Sequence, residues 1–435
     1  MLDLPDDFLN SVRPLLKEEY SSFLATYDFP AAKGIRLNPL KSPAADISEF
    51  FDGRVPYVEN GFYTLRQDLG GLPYHRAGCY YMQEPSAMFP AAVLSPEKTD
   101  RVLDLCAAPG GKSGQLAEMA TNGVIVSNEI MGDRCRILLG NVERMGYRNV
   151  VVTCLSPKEI ADSLTGWFDK VLVDAPCSGE GMFRKNPEAI KEWSLSNVKA
   201  CAERQADVLL QGGRCVKKGG KLVYSTCTFS KEENEDTVER FLKTGDFKLL
   251  KIDQNYGIEK GLDEFGYTAR LYPHKLRGEG HFTALFERVT ENQTVKDKTP
   301  LKDLDGKERR EVERFIKESL TTDINVKVYN GNLVIPPEIT PPITRGALCY
   351  GVKLGEIDNR LIPHHQFFSA YGGYFKRQVD LNIDDERLAK YLHGEEIDAD
   401  KENGWCSVLL SGAAIGGGKI VDGKVKNKLP KGLRK

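Results

Sequence analysis

Two cysteines stand where a thiol can do chemistry: Cys177 in the run Asp174-Ala-Pro-Cys177-Ser-Gly-Glu-Gly181, and Cys227 in Tyr224-Ser-Thr-Cys227-Thr228. Each follows an apolar stretch of strand character, 170–174 and 221–225, so each thiol sits in a strand-to-loop turn and not on a core face. The thiolate is the reactive form of cysteine, and it becomes a covalent catalyst where a nearby base or positive charge favours it. Lys112 and Lys185 are the cations that would supply that charge. Cys106, Cys201 and Cys215 fit the commoner role of small buried hydrophobes.

A second constellation lies upstream. Asp104-Leu-Cys-Ala-Ala-Pro-Gly-Gly-Lys112 separates a strand from a helix, where glycines let a ligand approach backbone N–H groups beside a helix N-terminus. It has neither G-x-x-x-x-G-K-[ST] nor G-x-G-x-x-G spacing, so a triphosphate or pyrophosphate fits poorly and the methionine end of S-adenosylmethionine fits better. Glu129, at the end of the next strand, falls where doubly wound folds hold ribose hydroxyls, and the adenine side should lie after the third strand, near Ser156. A methyl donor beside two thiols suggests one reaction. Carbon 5 of cytosine is a poor nucleophile until a thiolate adds to carbon 6 and makes the ring enamine-like; afterwards the carbon 5 proton and the sulfur must leave, which gives a second group a task. Asp174 is placed to hydrogen-bond the ring nitrogen while charge develops there.

These residues need a sheet to hold them on one edge. Strands are predicted over 102–106, 124–127, 150–153, 170–174 and 221–225, alternating with helical stretches, which is the pattern of a parallel, doubly wound α/β sheet. Ligands of such sheets bind along the carboxyl edge, so both thiols should line the crevice that holds the cofactor. Val198, Cys201, Ala202 and Val208 recur at helical spacing, and Ser230-Lys-Glu-Glu233 has the capping-box pattern for a helix running through Phe241. Strands near 267–272 and 282–286 would complete the sheet as an antiparallel edge. Ahead of it, 9–24 reads as helical and 33–38 and 54–72 as short strands and turns, a small leading unit. After it, 290–318 turns polar, a linker followed by a short solvated helix, and the rest is Gly- and Pro-rich with β-type runs at 331–335 and 407–410. The expected domains are therefore 1–90, 91–290, 291–365 and 366–435.

A chain of 435 residues is long enough for two or three domains, and its 41% hydrophobic and 28% charged content is that of a globular protein. No apolar run approaches the roughly 18 to 20 residues of a membrane span. The acidic opening MLDLPDDFLN does not look like a signal peptide, so a cytoplasmic location and reduced thiols are expected for the ten cysteines. No C-x-x-C pair or Cys/His cluster suggests a metal site. The net charge of -2 argues against bulk attraction to nucleic acid, so any RNA contact must be local. A local basic stretch exists at the end: Lys419, Lys424, Lys426, Lys428, Lys431, Arg434 and Lys435 against Asp422 alone, either a solvated terminus or an RNA contact.

The chain strongly resembles the RNA (cytosine-5) methyltransferase family, in particular its bacterial RsmF-like branch acting on small-subunit ribosomal RNA. The resemblance covers nearly the whole length: Gly34-Ile-Arg-Leu-Asn38, Gln83-Glu-Pro-Ser86, DLCAAPGGKSGQLAEM, DAPCSGEGMFRKNPE, KLVYSTCTFSKEENE and the final VKNKLPKGLRK. It implies a Rossmann-like class I methyltransferase domain, a small N-terminal α/β RNA-binding domain and a C-terminal PUA-like β domain. It implies Cys227 as nucleophile and Cys177 as the thiol that assists release, the reverse of the roles in DNA cytosine methyltransferases. Cofactor contacts implied are Cys106, Ala107, Ala108, Pro109, Gly110, Gly111, Lys112, Glu129, Ser156 and Asp174, and Arg134 is counted with them. One position departs: the family often has Asp where Ser156 stands, a better acceptor for an adenine amino group. The implied partner is 16S ribosomal RNA or the small subunit, bound by a monomer without metal. The rival readings are a transfer RNA methyltransferase, a ribosome-assembly binding protein without turnover and, least favoured, a DNA methyltransferase.

Overall fold

The computed structural model describes residues 2–41, 47–295 and 298–434; Lys435 of the basic stretch lies outside them. Five parallel strands form the centre of a large sheet: β1 (Arg101–Asp104), β2 (Val124–Asn128), β3 (Val150–Thr153), β4 (Phe168–Asp174) and β5 (Val216–Thr226). Their order is β3-β2-β1-β4-β5, with every neighbouring pair parallel. Val102, Leu103, Val126, Val151, Val171 and Leu172 are all buried, as expected of strands covered by helices on both faces. Those helices include α1 (Gly111–Met119), α2 (Gly132–Met145), α3 (Pro157–Leu164), α4 (Leu195–Cys215) and α5 (Glu235–Leu242). The predicted doubly wound sheet is therefore present.

The predicted antiparallel edge is present too. β9 (His281–Arg288) lies antiparallel beside β5, and β6 (Phe247–Leu250), β7 (Glu259–Lys260) and β8 (Ala269–Leu271) continue from it. The opposite edge closes in a way the sequence did not announce: β10 (Ala347–Tyr350), from far down the chain, pairs antiparallel with β3. An edge strand offers unpaired N–H and C=O groups, and β10 satisfies those of β3. Four residues of mixed character carry no periodicity by which to foresee this.

The helix expected to open at a Ser230/Glu233 capping box opens instead at Glu235. Ser230 Oγ does accept the Glu233 N–H at 3.3 Å, but the Glu233 carboxylate turns away from the helix, so the box never closes. The final basic stretch is likewise not a frayed terminus. Lys419 lies in the strand Ala413–Val421 and Lys424 and Lys426 in Lys424–Asn427, both inside a five-stranded sheet whose core takes up Ile420, Val425 and Leu429.

Two further sheets complete the chain: three antiparallel strands at the N-terminus (Gly34–Leu37, Gly61–Tyr63, Tyr80–Met82) and four between Lys327 and Pro363. The two chain ends meet, with Ile35, Phe50, Phe62 and Tyr80 in one hydrophobic cluster with Val379, Val408, Ile420 and Val425. Lys41 pins this junction: its buried Nζ donates to Ala77 O at 2.9 Å, Arg144 O at 3.1 Å and Ala414 O at 3.1 Å, one carbonyl from each unit. Among the described residues, no helix is long and apolar enough to cross a membrane.

Candidate active site

The sheet reverses its strand order between β1 and β4, and the loop Asp104–Gly111 leaves β1 at that point, where doubly wound folds bind ligands. Gly110 has φ 112°, a backbone conformation that favours glycine and turns the chain into α1. The loop is braced from outside the sheet. Arg36, fully buried, donates from Nη2 to Gly111 O at 3.1 Å and pairs with Glu118 on α1, whose other oxygen accepts the Tyr147 hydroxyl at 2.6 Å. The Gly-Ile-Arg-Leu-Asn motif of the leading unit thus clamps the helix that follows the Asp104–Gly111 loop.

Three carboxylates face this loop. Asp104, Asp174 and Glu129 all raise the Cys106 thiol, after burial itself, while Arg134 opposes them. Asp104 is buried; its Oδ2 accepts the Ser113 hydroxyl at 2.6 Å, and its Oδ1 has no hydrogen-bond partner. Burial pushes its carboxyl up to about 7, with Asp174 adding to the rise and Lys112 opposing it. A buried anion with a free lone pair favours a cationic ligand, and a sulfonium with an α-ammonium group fits that demand. Glu129, 3% exposed, accepts the Met131 N–H at 3.0 Å through Oε1 and lies 3.4 Å from Arg134 through Oε2. Arg134 also donates to Ala108 O at 2.9 Å, bridging the loop and Glu129. Ser156 is otherwise engaged. It caps α3, accepting the Glu159 N–H at 3.3 Å while its hydroxyl donates to Glu159 Oε2 at 2.7 Å.

The two thiols predicted to share a crevice do so: Cys177 Sγ and Cys227 Sγ lie 3.1 Å apart, and Cys177 Sγ accepts the Cys227 N–H at 3.3 Å. The hydrogen bond between the sulfurs holds the Cys177 thiol well above the usual range, helped by burial and by the charge of Glu233, so Cys177 keeps its proton. Asp174 ends β4 three residues earlier. Burial would raise its carboxyl, but Lys112, donating to Oδ2 at 2.7 Å, and His281, 3.5 Å from Oδ1, hold it below the usual range. Ser225 donates to Oδ1 at 2.7 Å. Asp174 is therefore an ionised acceptor. Lys112 belongs to the same cluster, Cys227 being among the groups that favour its charged form. Lys185 does not; it is exposed and lines a separate cavity with Lys33, Arg66 and Met82.

Four residues around the sulfurs are not legible as site residues in the sequence, where Glu233 reads only as a helix cap. Glu180 and Glu233 are buried carboxylates, Gln205 on α4 donates to Glu233 Oε2 at 2.7 Å, and His281 faces Asp174. Glu180 and Glu233 lie within the quoted motifs, but a carboxylate in a loop reads as solvated until its neighbours are known. Cavity size does not mark this site: a cavity of about 630 Å³ lies elsewhere, between Arg54–Glu59 and Lys251–Ile258, lined by none of these groups.

Three family models match the chain: 16S rRNA methyltransferase RsmB/F over residues 91–287, the N-terminal domain of 16S rRNA methyltransferase RsmF over 4–85, and the methyltransferase RsmF PUA domain over 378–435. The ribosomal RNA small subunit methyltransferase F of Vibrio campbellii is 32% identical, with 99% of this chain and 97% of the relative covered. That of Vibrio cholerae is 30% identical, with 99% and 98% covered. A methyltransferase homolog protein from Pyrococcus horikoshii shares 30% identity at a TM-score of 0.56, covering 66% of this chain and 100% of its own. NSun6 from the same organism, in a structure with SFG, shares the fold at 24% identity and a TM-score of 0.60, covering 66% of this chain and 99% of its own.

Proposed function

Because this chain belongs to the RsmB/F family of 16S rRNA methyltransferases, we propose that it methylates carbon 5 of a cytosine in 16S ribosomal RNA through a transient bond between Cys227 and carbon 6. The observation that carries this reading is the contact of two sulfurs, 3.1 Å apart, on the carboxyl edge of the sheet where the cofactor loop also opens.

The 106–112 loop, Glu129 and Arg134 would hold S-adenosylmethionine, which would supply the electrophilic methyl group. The base is unstacked or flipped to reach the crevice, as enzymes acting on base carbons require. The Cys227 thiol adds across the ring, its sulfur bonding to carbon 6 and its proton passing to ring nitrogen 3, and the electrons so released make carbon 5 nucleophilic. Asp174, held ionised, accepts from the exocyclic amino group and from that N–H; it stabilises the adduct as an acceptor and not as an acid. After transfer, carbon 5 gives its proton to water, the carbon 5–carbon 6 double bond re-forms, and the sulfur–carbon bond breaks to leave a Cys227 thiolate that takes back the nitrogen 3 proton. Cys177, in contact with the departing sulfur, is assigned to this release.

The Ser156 hydroxyl is committed to Glu159 Oε2, so no adenine contact is assigned to it. The division at residues 90, 290 and 365, the monomeric state and a cytoplasmic setting belong to the same proposal. Methylation assays on naked 16S RNA, assembled 30S subunits and bulk transfer RNA, with 5-methylcytosine mapped by position, test it. Activity on transfer RNA alone would reject the ribosomal substrate, and cofactor binding without 5-methylcytosine on any of the three would favour an assembly factor.

A further inference from the structure

Glu180 and Glu233 cross between the two loops that carry the sulfurs. Glu180, three residues after Cys177, accepts the N–H of Phe229, two residues after Cys227, at 2.8 Å. Glu233, six residues after Cys227, accepts the N–H of Ser178, the residue after Cys177, at 2.9 Å. Each loop thus supplies a carboxylate that caps a backbone donor of the other. The loops are further tied by Gly181 N–H to Cys227 O at 2.8 Å, where a Cβ on Gly181 would come within 3.0 Å of that oxygen.

The two carboxylates are 2% and 0% exposed, and among the described residues neither has a cationic partner within ion-pair distance. Burial pushes the Glu180 carboxyl up to about 7 and raises that of Glu233, the mark of carboxylates held without a cation at a cost in stability, so a packed core would retain this pair only for a geometric return. Every one of their oxygens has a donor. Glu180 takes Phe229 N–H on Oε2 and Trp193 Nε1–H on Oε1 at 3.0 Å, two donors that cannot reverse. Glu233 takes Ser178 N–H and Gln205 Nε2–H on Oε2, and the Ser178 hydroxyl on Oε1. That hydroxyl lies 2.9 Å from Thr228 Oγ1, which accepts Ser230 N–H at 3.3 Å. Hydroxyls, unlike amides, can turn round.

We propose that Glu180 and Glu233 are positioning residues, reciprocal cross-ties that hold Cys177 and Cys227 in sulfur–sulfur contact before substrate arrives. This rests on the reading of that pair as the reacting thiols, but its first test does not require RNA. Diamide takes two hydrogens from a pair of thiols that can reach each other, its azo group becoming a hydrazine as the disulfide forms. The rate at which the full chain acquires a Cys177–Cys227 link, followed by peptide mass mapping, therefore reports the contact directly.

The two carboxylates respond differently to loss of charge. Glu180→Gln sets an NH2 group against an N–H donor that cannot reverse, so the link should form at least about tenfold more slowly and kcat should fall similarly, with KM for RNA within about twofold. Glu233→Gln keeps an acceptor for Ser178 N–H while its NH2 donates to a reversed Ser178 hydroxyl, so both rates should fall by only about threefold. Trp193→Phe added to Glu180→Gln removes the conflicting donor and should restore much of both rates. The same rank order is expected if the variants are only partly folded, once rates are divided by the folded fraction from thermal unfolding.

Equal effects of the two Gln changes, no rescue by Trp193→Phe, or wild-type linking rates in Glu180→Gln would each overturn the proposal. If the linking rates follow the expected order while even the unmodified enzyme makes no 5-methylcytosine, the cross-ties stand and the proposed reaction falls.

Discussion

Lys112 Nζ donates to Asp174 Oδ2 at 2.7 Å, tying the cofactor loop to the strand end that leads into Cys177. The ion pair is partly screened, since 28% of the Asp174 side chain remains exposed, so its worth lies in orientation and protonation state more than in stability. The proposed reaction uses Asp174 as an anion, and Lys112 is the strongest group keeping it one. We expect Lys112→Met to lower kcat/KM by about tenfold or more and to move the acidic limb of the pH–rate profile upward, because a carboxyl deprived of its cation protonates at higher pH. A limb that stays in place would remove Asp174 from the chemistry.

Cys227→Ala should abolish methylation, whereas Cys177→Ala should permit addition and trap a covalent enzyme–RNA species, because the proposed reaction assigns bond formation and release to different sulfurs. A denaturing gel with labelled RNA separates the outcomes. An adduct that needed Cys177 and survived without Cys227 would exchange the roles.

The Asp104 carboxyl titrates near 7 in the unliganded protein, raised by burial. A cationic cofactor needs it ionised, so below that pH binding must expel a proton. We expect the affinity for S-adenosylmethionine to weaken by up to about tenfold per pH unit below 7 and to level off above it. Asp104→Asn should flatten the profile. Calorimetry in two buffers of different ionisation enthalpy would detect the released proton at pH 6, and no release would exclude Asp104 from the cofactor site.

Deleting the chain from Lys419 would be a poor test of RNA binding, since it strips Ile420, Val425 and Leu429 from a folded core. Lys424, Lys428 and Lys431 are exposed, while Lys426 is paired with Glu396 at 2.8 Å. Changing the first three to Ala should leave stability within about 0.5 kcal/mol per site. If they meet phosphates, the slope of log affinity against log salt should fall by about 0.7 to 0.9 per lysine. Unchanged binding and slope would leave this face without an RNA role.

Strand-to-loop motifs were legible in the sequence because they are local. An apolar run followed by Asp-Ala-Pro-Cys, Ser-Thr-Cys or Ala-Pro-Gly-Gly states its own conformation, and parallel topology then carries all three loops to one edge. That sufficed for the sheet, its antiparallel extension and the meeting of Cys177 with Cys227. Side-chain partners across loops were not legible. Glu233 has the spacing of a helix cap, and only the approach of Ser178, fifty-five residues away, turns its carboxylate to the sulfurs. The adenine side is expected near Ser156, and the capping bond of its hydroxyl to Glu159, three residues on, shows only in the structure.

The sequence by itself determined the strands of the central sheet, the placing of both thiols at strand ends and the family, since periodicity and motif spacing are properties of short stretches. Tertiary structure alone decided which buried carboxylates serve the sulfurs, that residues 347–350 close the far edge of the sheet, and that the two chain ends share one core around Lys41. Those outcomes depend on desolvation and on donors brought together from distant parts of the chain, and neither leaves a mark on local spacing.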